Sequence, residues 1–308
     1  RVLARAATAL DVCADWTRTP RYGFLSDFAP DENDSPDRVA ALARYHINAI
    51  QFYDWMYRHQ EFLPPTREFI DPLGRKLSLD IVQRKIQLAQ QLGMRALAYA
   101  AIYAANPDFF AEHCEEGLYR GDGQPFMLGD FLNITNIAHP AWRARLLAEC
   151  RRAVDELGFD GIHLDQYGYP RIGYSLDGAR VDVEKELPEF LSAVRAAVGN
   201  GPTVFNAVNA WPLAAVALTT LEPLYVEVWS PNDTFRDLRE IILRARDLRS
   251  GRAPVLAAYL RDFQSADPAV QRGAMNALRR LTAAIYLNGG SHIVLGERDG
   301  VLCAPYFP

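Results

Sequence analysis

Strand-like and helix-like segments alternate along this chain with a period of roughly thirty residues, and that alternation restricts the fold more than any other feature. Runs rich in β-branched and aromatic residues predict strands at Tyr22–Asp27, Ala49–Asp54, Arg95–Ala101, Gly161–Asp165, Val204–Val208, Leu224–Trp229, Pro254–Tyr259 and Ser291–Leu295. Between them, 3.6-residue periodicity predicts helices at Pro36–Tyr45, Leu79–Leu92, Ala141–Leu157, Glu184–Val198, Leu213–Thr219, Thr234–Leu248 and Ala269–Leu287. Ser35 followed by Pro36 reads as an N-cap with proline at the first helical position, and Ser78 reads as the cap of the second helix. Gly93 and Gly158 stand where a helix ends before a strand. The expected fold is therefore α/β, a (β/α)8 TIM barrel, with the eighth helix absent or replaced. The segment Val2–Thr17 is a candidate to fill that gap.

A chain of 308 residues could hold two domains, but a barrel of this class uses as much as one, and no linker interrupts it. Residues 1–308 are expected to form one barrel domain. The net charge of −5, with no block of Lys or Arg, argues against nucleic acid or an anionic membrane surface as partner. No apolar run reaches the length of a membrane span, and the first residues lack the apolar core of a signal peptide. Cys13, Cys114, Cys150 and Cys303 form no C-x-x-C pair and are expected to be free thiols packed as small hydrophobes. A bridge between Cys13 and Cys303 is the alternative if the chain ends meet.

Two strands carry the chemistry. In Gly161-Ile162-His163-Leu164-Asp165, Ile162 and Leu164 share one face while His163 and Asp165 share the other. In Leu224-Tyr225-Val226-Glu227-Val228-Trp229, Val226 and Val228 share one face while Tyr225, Glu227 and Trp229 share the other. Acids near the C-terminal ends of two barrel strands, two βα units apart, can face each other across the mouth and act as a carboxylate pair on a glycosidic bond. His163, Gln166 and Tyr167 are expected to hold Asp165 ionised, whereas Tyr225 and Trp229 are expected to desolvate Glu227 and raise its pKa. A barrel-interior salt bridge is the competing use of either acid.

Other strand ends are polar as well. Tyr53, Asp54 and Trp55 end the second strand and could bind sugar hydroxyls and stack on a ring. Tyr99 attends the third, and Asn206 and Asn209 the fifth, where amides suit vicinal hydroxyls. Packing competes with ligand contact at each of these positions. The loops Arg58–Lys76 and Ala105–His139 follow strands two and three and are expected to build the cleft. No cluster has metal-ligand spacing and no glycine-rich phosphate loop follows the first strand, so no metal or cofactor is expected.

The chain resembles the catalytic barrel of glycoside hydrolase family 66, the endo-dextranases and cycloisomaltooligosaccharide glucanotransferases. The resemblance begins at Trp16-Thr17-Arg18-Thr19-Pro20-Arg21-Tyr22-Gly23-Phe24 and Ile50-Gln51-Phe52-Tyr53-Asp54-Trp55-Met56-Tyr57-Arg58-His59. It continues through the two acid strands to Asn288-Gly289-Gly290-Ser291-His292 and Tyr306-Phe307-Pro308. It implies a retaining attack on α-1,6-glucosidic linkages of dextran, with Asp165 as nucleophile, Glu227 as acid/base, and Asp54 and Trp55 lining the subsite of the sugar being cleaved. It also implies an extracellular enzyme, since dextran does not enter cells; a cytoplasmic one would act on imported isomaltooligosaccharides.

Three places depart from the family pattern: Ala100, where an Asn is expected, the loop Tyr167-Gly168-Tyr169-Pro170-Arg171, and Gln60-Glu61-Phe62. They point to altered subsites. A single helix between the last two strands leaves no room for the late insert of the cyclising members, which favours hydrolysis. The alternatives are an exo-acting α-glucosidase or transglycosylase on isomaltooligosaccharides, or a carbohydrate-binding barrel without catalysis.

Overall fold

In the computed structural model, the described residues are 13–199, 201–219, 221–260, 262, 265 and 267–293. All eight expected strands are present: β1 Tyr22–Leu25, β2 Ala49–Phe52, β3 Arg95–Ala101, β4 Gly161–Asp165, β5 Thr203–Phe205, β6 Tyr225–Val228, β7 Val255–Ala258 and β8 Ser291–His292. The first five form one parallel sheet in chain order, and the last three form another. A parallel bridge between Asn206 and Tyr225 joins the two. The result is an α/β fold around a parallel sheet. A pairing of β8 with β1 that would close the ring is not among the strand pairs of the described residues.

Among the described residues seven helices alternate with these strands, α1 Ser35–Arg44, α2 Leu79–Gln91, α3 Pro140–Leu157, α4 Val183–Ala197, α5 Leu213–Val216, α6 Phe235–Leu248 and α7 Pro268–Leu287, and a further short helix, Pro107–Glu112, lies in the connection after β3. Their ends follow local chemistry. The Ser78 hydroxyl accepts the Asp80 N–H at the start of α2, and Gly158 closes α3 at φ 85°, where a side chain would be strained. Thr234 and Asp237 form a reciprocal capping box at α6. Ser35 departs from expectation. It lies inside the first turn of α1 with its hydroxyl on buried Glu32, and Asp34 occupies the cap position.

The strand alternation separates two kinds of core. Ile162 and Leu164 face outward into the cluster that packs α1 to α4, and Val226 and Val228 do the same beneath α6 and α7. Facing inward are Tyr22, Phe24, Ala49, Leu97, Val204, Tyr225, Val255, Ala257 and Ile293, which pack together from six strands and the residue after the last. Each such large side chain stabilises the fold by about 1.5–3 kcal/mol when fully buried. The interior is thus filled, and functional groups are confined to the rim.

The long connections after β2, β3 and β4 are not structureless. They carry the hairpin Glu68–Ile70 with Lys76–Ser78, the three short strands Ala104–Ala105, Met127–Leu128 and Leu132–Ile134, and the hairpin Ile172–Tyr174 with Arg180–Asp182. Cys13 and Cys114 are exposed free thiols, so of the three cysteines among the described residues only Cys150 packs as a small hydrophobe in the way expected of all. Cys303, the Tyr306-Phe307-Pro308 end and most of Val2–Thr17 lie outside the described residues. Among the described residues no helix is long and apolar enough to cross a membrane.

Candidate active site

Asp165, the last residue of β4, and Glu227, the third of β6, meet at the C-terminal rim on either side of β5. Asn206, one residue beyond β5, connects them. Its Nδ2 donates to Asp165 Oδ1 at 2.8 Å and to Glu227 Oε2 at 2.9 Å, and its Oδ1 accepts the Glu227 backbone N–H at 3.2 Å. Two N–H bonds of one amide diverge by roughly 120°, so the two carboxylate oxygens are held about 5 Å apart. Tyr99 Oη donates to the other Asp165 oxygen at 2.7 Å, and the Tyr259 hydroxyl donates to Glu227 Oε1. Each carboxylate therefore accepts one hydrogen bond on each oxygen, from Asn206 and from a tyrosine.

The electrostatics differ from the sequence expectation. Burial, reinforced by the charge of Glu227, pushes Asp165 up to about 7, against the hydrogen bonds from Tyr99, Asn206 and the Gln166 backbone. Burial and the nearby Asp165 hold the Tyr99 phenol well above its ordinary pKa, so it remains an O–H donor. Two carboxylates so close repel each other, so the charge of Glu227 disfavours ionisation of Asp165.

Beside Asp165, a depression of about 180 Å³ is lined by Tyr53, Asp54, His59, Asp71, Tyr99 and Tyr103, among others. Asp54 takes φ 49°, and burial with the charge of Asp71 pushes its carboxyl up to about 7, while Arg75, at 3.9 Å, opposes the shift. Burial lowers His59 to about 4, so it is neutral. A wider depression of about 810 Å³ is bordered by Glu149, Arg152 and Arg145, where Glu149 is paired with Arg152 at 2.9 Å.

Several expected sugar contacts are placed elsewhere. Trp55 is 0% exposed, and its indole N–H donates to the Tyr99 carbonyl at 3.0 Å, so it supports the rim from below. His163 is buried among Tyr22, Tyr99 and Tyr225, with Nδ1 on the Tyr22 hydroxyl at 2.9 Å, and burial lowers it to about 3. It is neutral and does not bond Asp165. The Gln166 amide donates to the Asn206 carbonyl at 3.1 Å, fixing the bridging residue. Asn209, at φ 51°, spends its side-chain oxygen on the Trp229 backbone N–H at 2.7 Å and on Asn232 at 3.0 Å, which orients the β6 rim. Tyr53, Asp54, Tyr99 and Trp229 remain at accessible or lining positions.

His113, Glu115 and Glu116 offer ligand atoms within 4.8 Å of one another in the loop after β3, a grouping that escaped the sequence. Glu116 there also pairs with Arg145 at 3.5 Å. This group makes no contact with the acid pair.

Comparison with known proteins decides the family. The glycosyl hydrolase family 66 profile matches residues 1–308. The chain belongs to this family. A cycloisomaltooligosaccharide glucanotransferase of Niallia circulans is 31% identical over 290 residues, which is 84% of this chain and 29% of that protein. A dextranase of Streptococcus salivarius is 22% identical over 306 residues, 85% of this chain and 36% of that protein. The chain spans about a third of the length of the curated relatives it matches. The crystal structure of a Paenibacillus sp. cycloisomaltooligosaccharide glucanotransferase complexed with cycloisomaltoheptaose superposes with TM-score 0.78 at 30% identity, covering 83% of this chain and 41% of that one. The α-glucosyl transfer enzyme XgtA, at TM-score 0.61 and 15% identity over 91% of this chain and 68% of its own, shares the fold alone.

Two residues of this family-66 site were missed in the sequence. Tyr259 follows β7 and shares its inward alternation with Val255 and Ala257, a signal that was available. Arg75, which clamps the Asp54 carbonyl at 3.0 Å and Asp71 at 2.6 Å from a hairpin, left no sequence signal.

Proposed function

We propose that this chain cleaves α-1,6-glucosidic linkages of dextran or isomaltooligosaccharides with retention, by double displacement. The observation that carries the reading is the Asn206 amide bonded to both Asp165 and Glu227, because about 5 Å between carboxyls is the spacing of retaining glycosidases. Asp165 attacks the anomeric carbon while Glu227 protonates the departing oxygen; Glu227 then removes a proton from water, which releases the sugar from Asp165. Tyr99 and Asn206 orient the nucleophile, and Tyr53 and Asp54 hold hydroxyls of the sugar beside it. The chemistry requires no metal or organic cofactor. Residues 1–308 act in this reading as one catalytic domain on a closed (β/α)8 ring, working outside the cell where dextran is found.

Substrate linkage rests on the relatives, which are named for dextran and cycloisomaltooligosaccharides. One observation favours transfer to a second sugar: the glucanotransferase is more identical to this chain than the dextranase. The single helix α7 between β7 and β8 favours hydrolysis.

Incubation with dextran separates these outcomes. Linear isomaltooligosaccharides support endo-hydrolysis, cyclic products support transfer, and turnover of isomaltotriose alone supports exo action. A slow fluorinated α-glucosyl fluoride is expected to label Asp165, detected by peptide mass spectrometry. Release of a product with inverted anomeric configuration, without labelling, would defeat the mechanism.

A further inference from the structure

The pair of acids divides the rim into two sides. On the β2–β3 side lies the depression containing Tyr53, Asp54 and Tyr99. On the other side, past Glu227, a groove of about 540 Å³ runs between the ends of β6 and β7, the start of α6 and the middle of α7. Its walls include Trp229, Tyr259, Leu260 and Phe235, with Asn232 and Arg280 at polar positions. Trp229 and Tyr259 stack with ring centroids 4.7 Å apart and planes at 29°. Trp229 is 44% exposed and Phe235, at the first position of α6, is 56% exposed.

Tyr259 makes the groove continuous with the chemistry, because the ring that stacks on Trp229 carries the hydroxyl that donates to Glu227. Pyranose rings present apolar C–H faces to aromatic planes and hydroxyl edges to amides and guanidinium groups, and this groove offers both. In the proposed reaction the bond from C1 to the departing oxygen breaks on the Glu227 side. The chain attached to that oxygen must then leave past Tyr259, and an accepting chain must enter there.

Resting on that reading of the acid pair, we infer that the Trp229–Tyr259–Phe235 groove binds the departing or accepting α-1,6-glucan chain. It thereby sets the ratio of transfer to hydrolysis. The bland use of such a surface is a seat for another protein segment, and the test separates the two.

The probe is α-isomaltosyl fluoride with isomaltotriose as added acceptor. The C1–F bond breaks with its electron pair leaving as fluoride, while an Asp165 oxygen bonds C1. A hydroxyl of water or of isomaltotriose then replaces Asp165 at C1 and gives its proton to Glu227. The small fluoride leaves the groove empty in the first step, so only transfer depends on it. In the parent protein, absence of fluoride release would defeat the catalytic reading itself and is distinguishable from any effect of the groove. With parent turnover established, Phe235→Ala is expected to lower transfer to isomaltotriose at least tenfold more than it lowers fluoride release, and Phe235→Tyr is expected to restore the parent ratio. An unchanged transfer-to-hydrolysis ratio in Phe235→Ala would overturn the inference. So would an equal fall in both reactions with an unchanged thermal midpoint.

Discussion

Asn206 and Glu227 are joined twice, through Nδ2 to Oε2 at 2.9 Å and through Oδ1 to the Glu227 backbone N–H at 3.2 Å. The same Nδ2 reaches Asp165 at 2.8 Å, so one amide sets the position of both acids. Asn206→Ala is expected to lower kcat on dextran by about a hundredfold, the scale of losing one preorganised donor. Asn206→Asp is expected to do worse, because a third carboxylate then faces two. Steady-state kinetics at one pH checks both; near-parent kcat in either would remove Asn206 from its orienting role.

Asp165→Asn and Glu227→Gln are each expected to lose at least about a thousandfold in kcat if each carries a separate step. Circular dichroism should show unchanged secondary structure. A variant with near-parent turnover would exclude its residue from the chemistry.

The pH profile should reveal the charge between the acids. In the proposed mechanism attack requires an ionised Asp165, whose pKa burial and Glu227 push up to about 7. With an α-glucosyl fluoride, whose leaving group needs no protonated Glu227, the acid limb of kcat/KM reports ionisation of Asp165 and is expected well above the ordinary carboxylate range. Glu227→Gln removes the repelling charge, so the acid limb should move to lower pH when an α-glucosyl fluoride, which needs little acid assistance, is the substrate. A limb unmoved by that substitution would mean that another group controls it.

Stability should run against activity at Asp165. Folding raises its pKa from 3.8 to about 7, so between those values the folded state keeps a proton that the unfolded chain gives up. Stability falls as pH rises through that window. Asp165→Asn removes the buried charge and is expected to raise Tm at pH 8, by about 2–4 °C for each kcal/mol gained. The advantage should vanish near pH 4, where the parent carboxyl is already protonated. Equal midpoints at both pH values would show that the ionised carboxylate costs nothing.

Trp55 and Trp229 should separate support from binding. Trp55→Phe leaves the buried Tyr99 carbonyl without its indole donor, and the expected cost is about 1–3 kcal/mol in chemical denaturation. Trp229→Ala is expected to change denaturation by less than about 0.5 kcal/mol, as exposed positions do. It should instead raise KM for dextran several-fold. A destabilised Trp229→Ala with parent KM would reverse the assignment.

Local pattern determined much of this protein. The 2- and 3.6-residue periodicities placed all eight strands and seven helices within a few residues, and strict alternation put Asp165 and Glu227 on the inward faces of β4 and β6. These are short-range properties, set by which side of a strand or helix must be buried. What each inward group touches is set by distant parts of the chain. Tertiary structure alone turned Trp55, His163 and Gln166 into supports, gave the Asn206 amide two acids to hold, and brought Tyr259 onto Glu227. It also raised the pKa of Asp165, where the residue order predicted a readily ionised acid, because desolvation and a neighbouring carboxylate act through space and leave no trace in residue order.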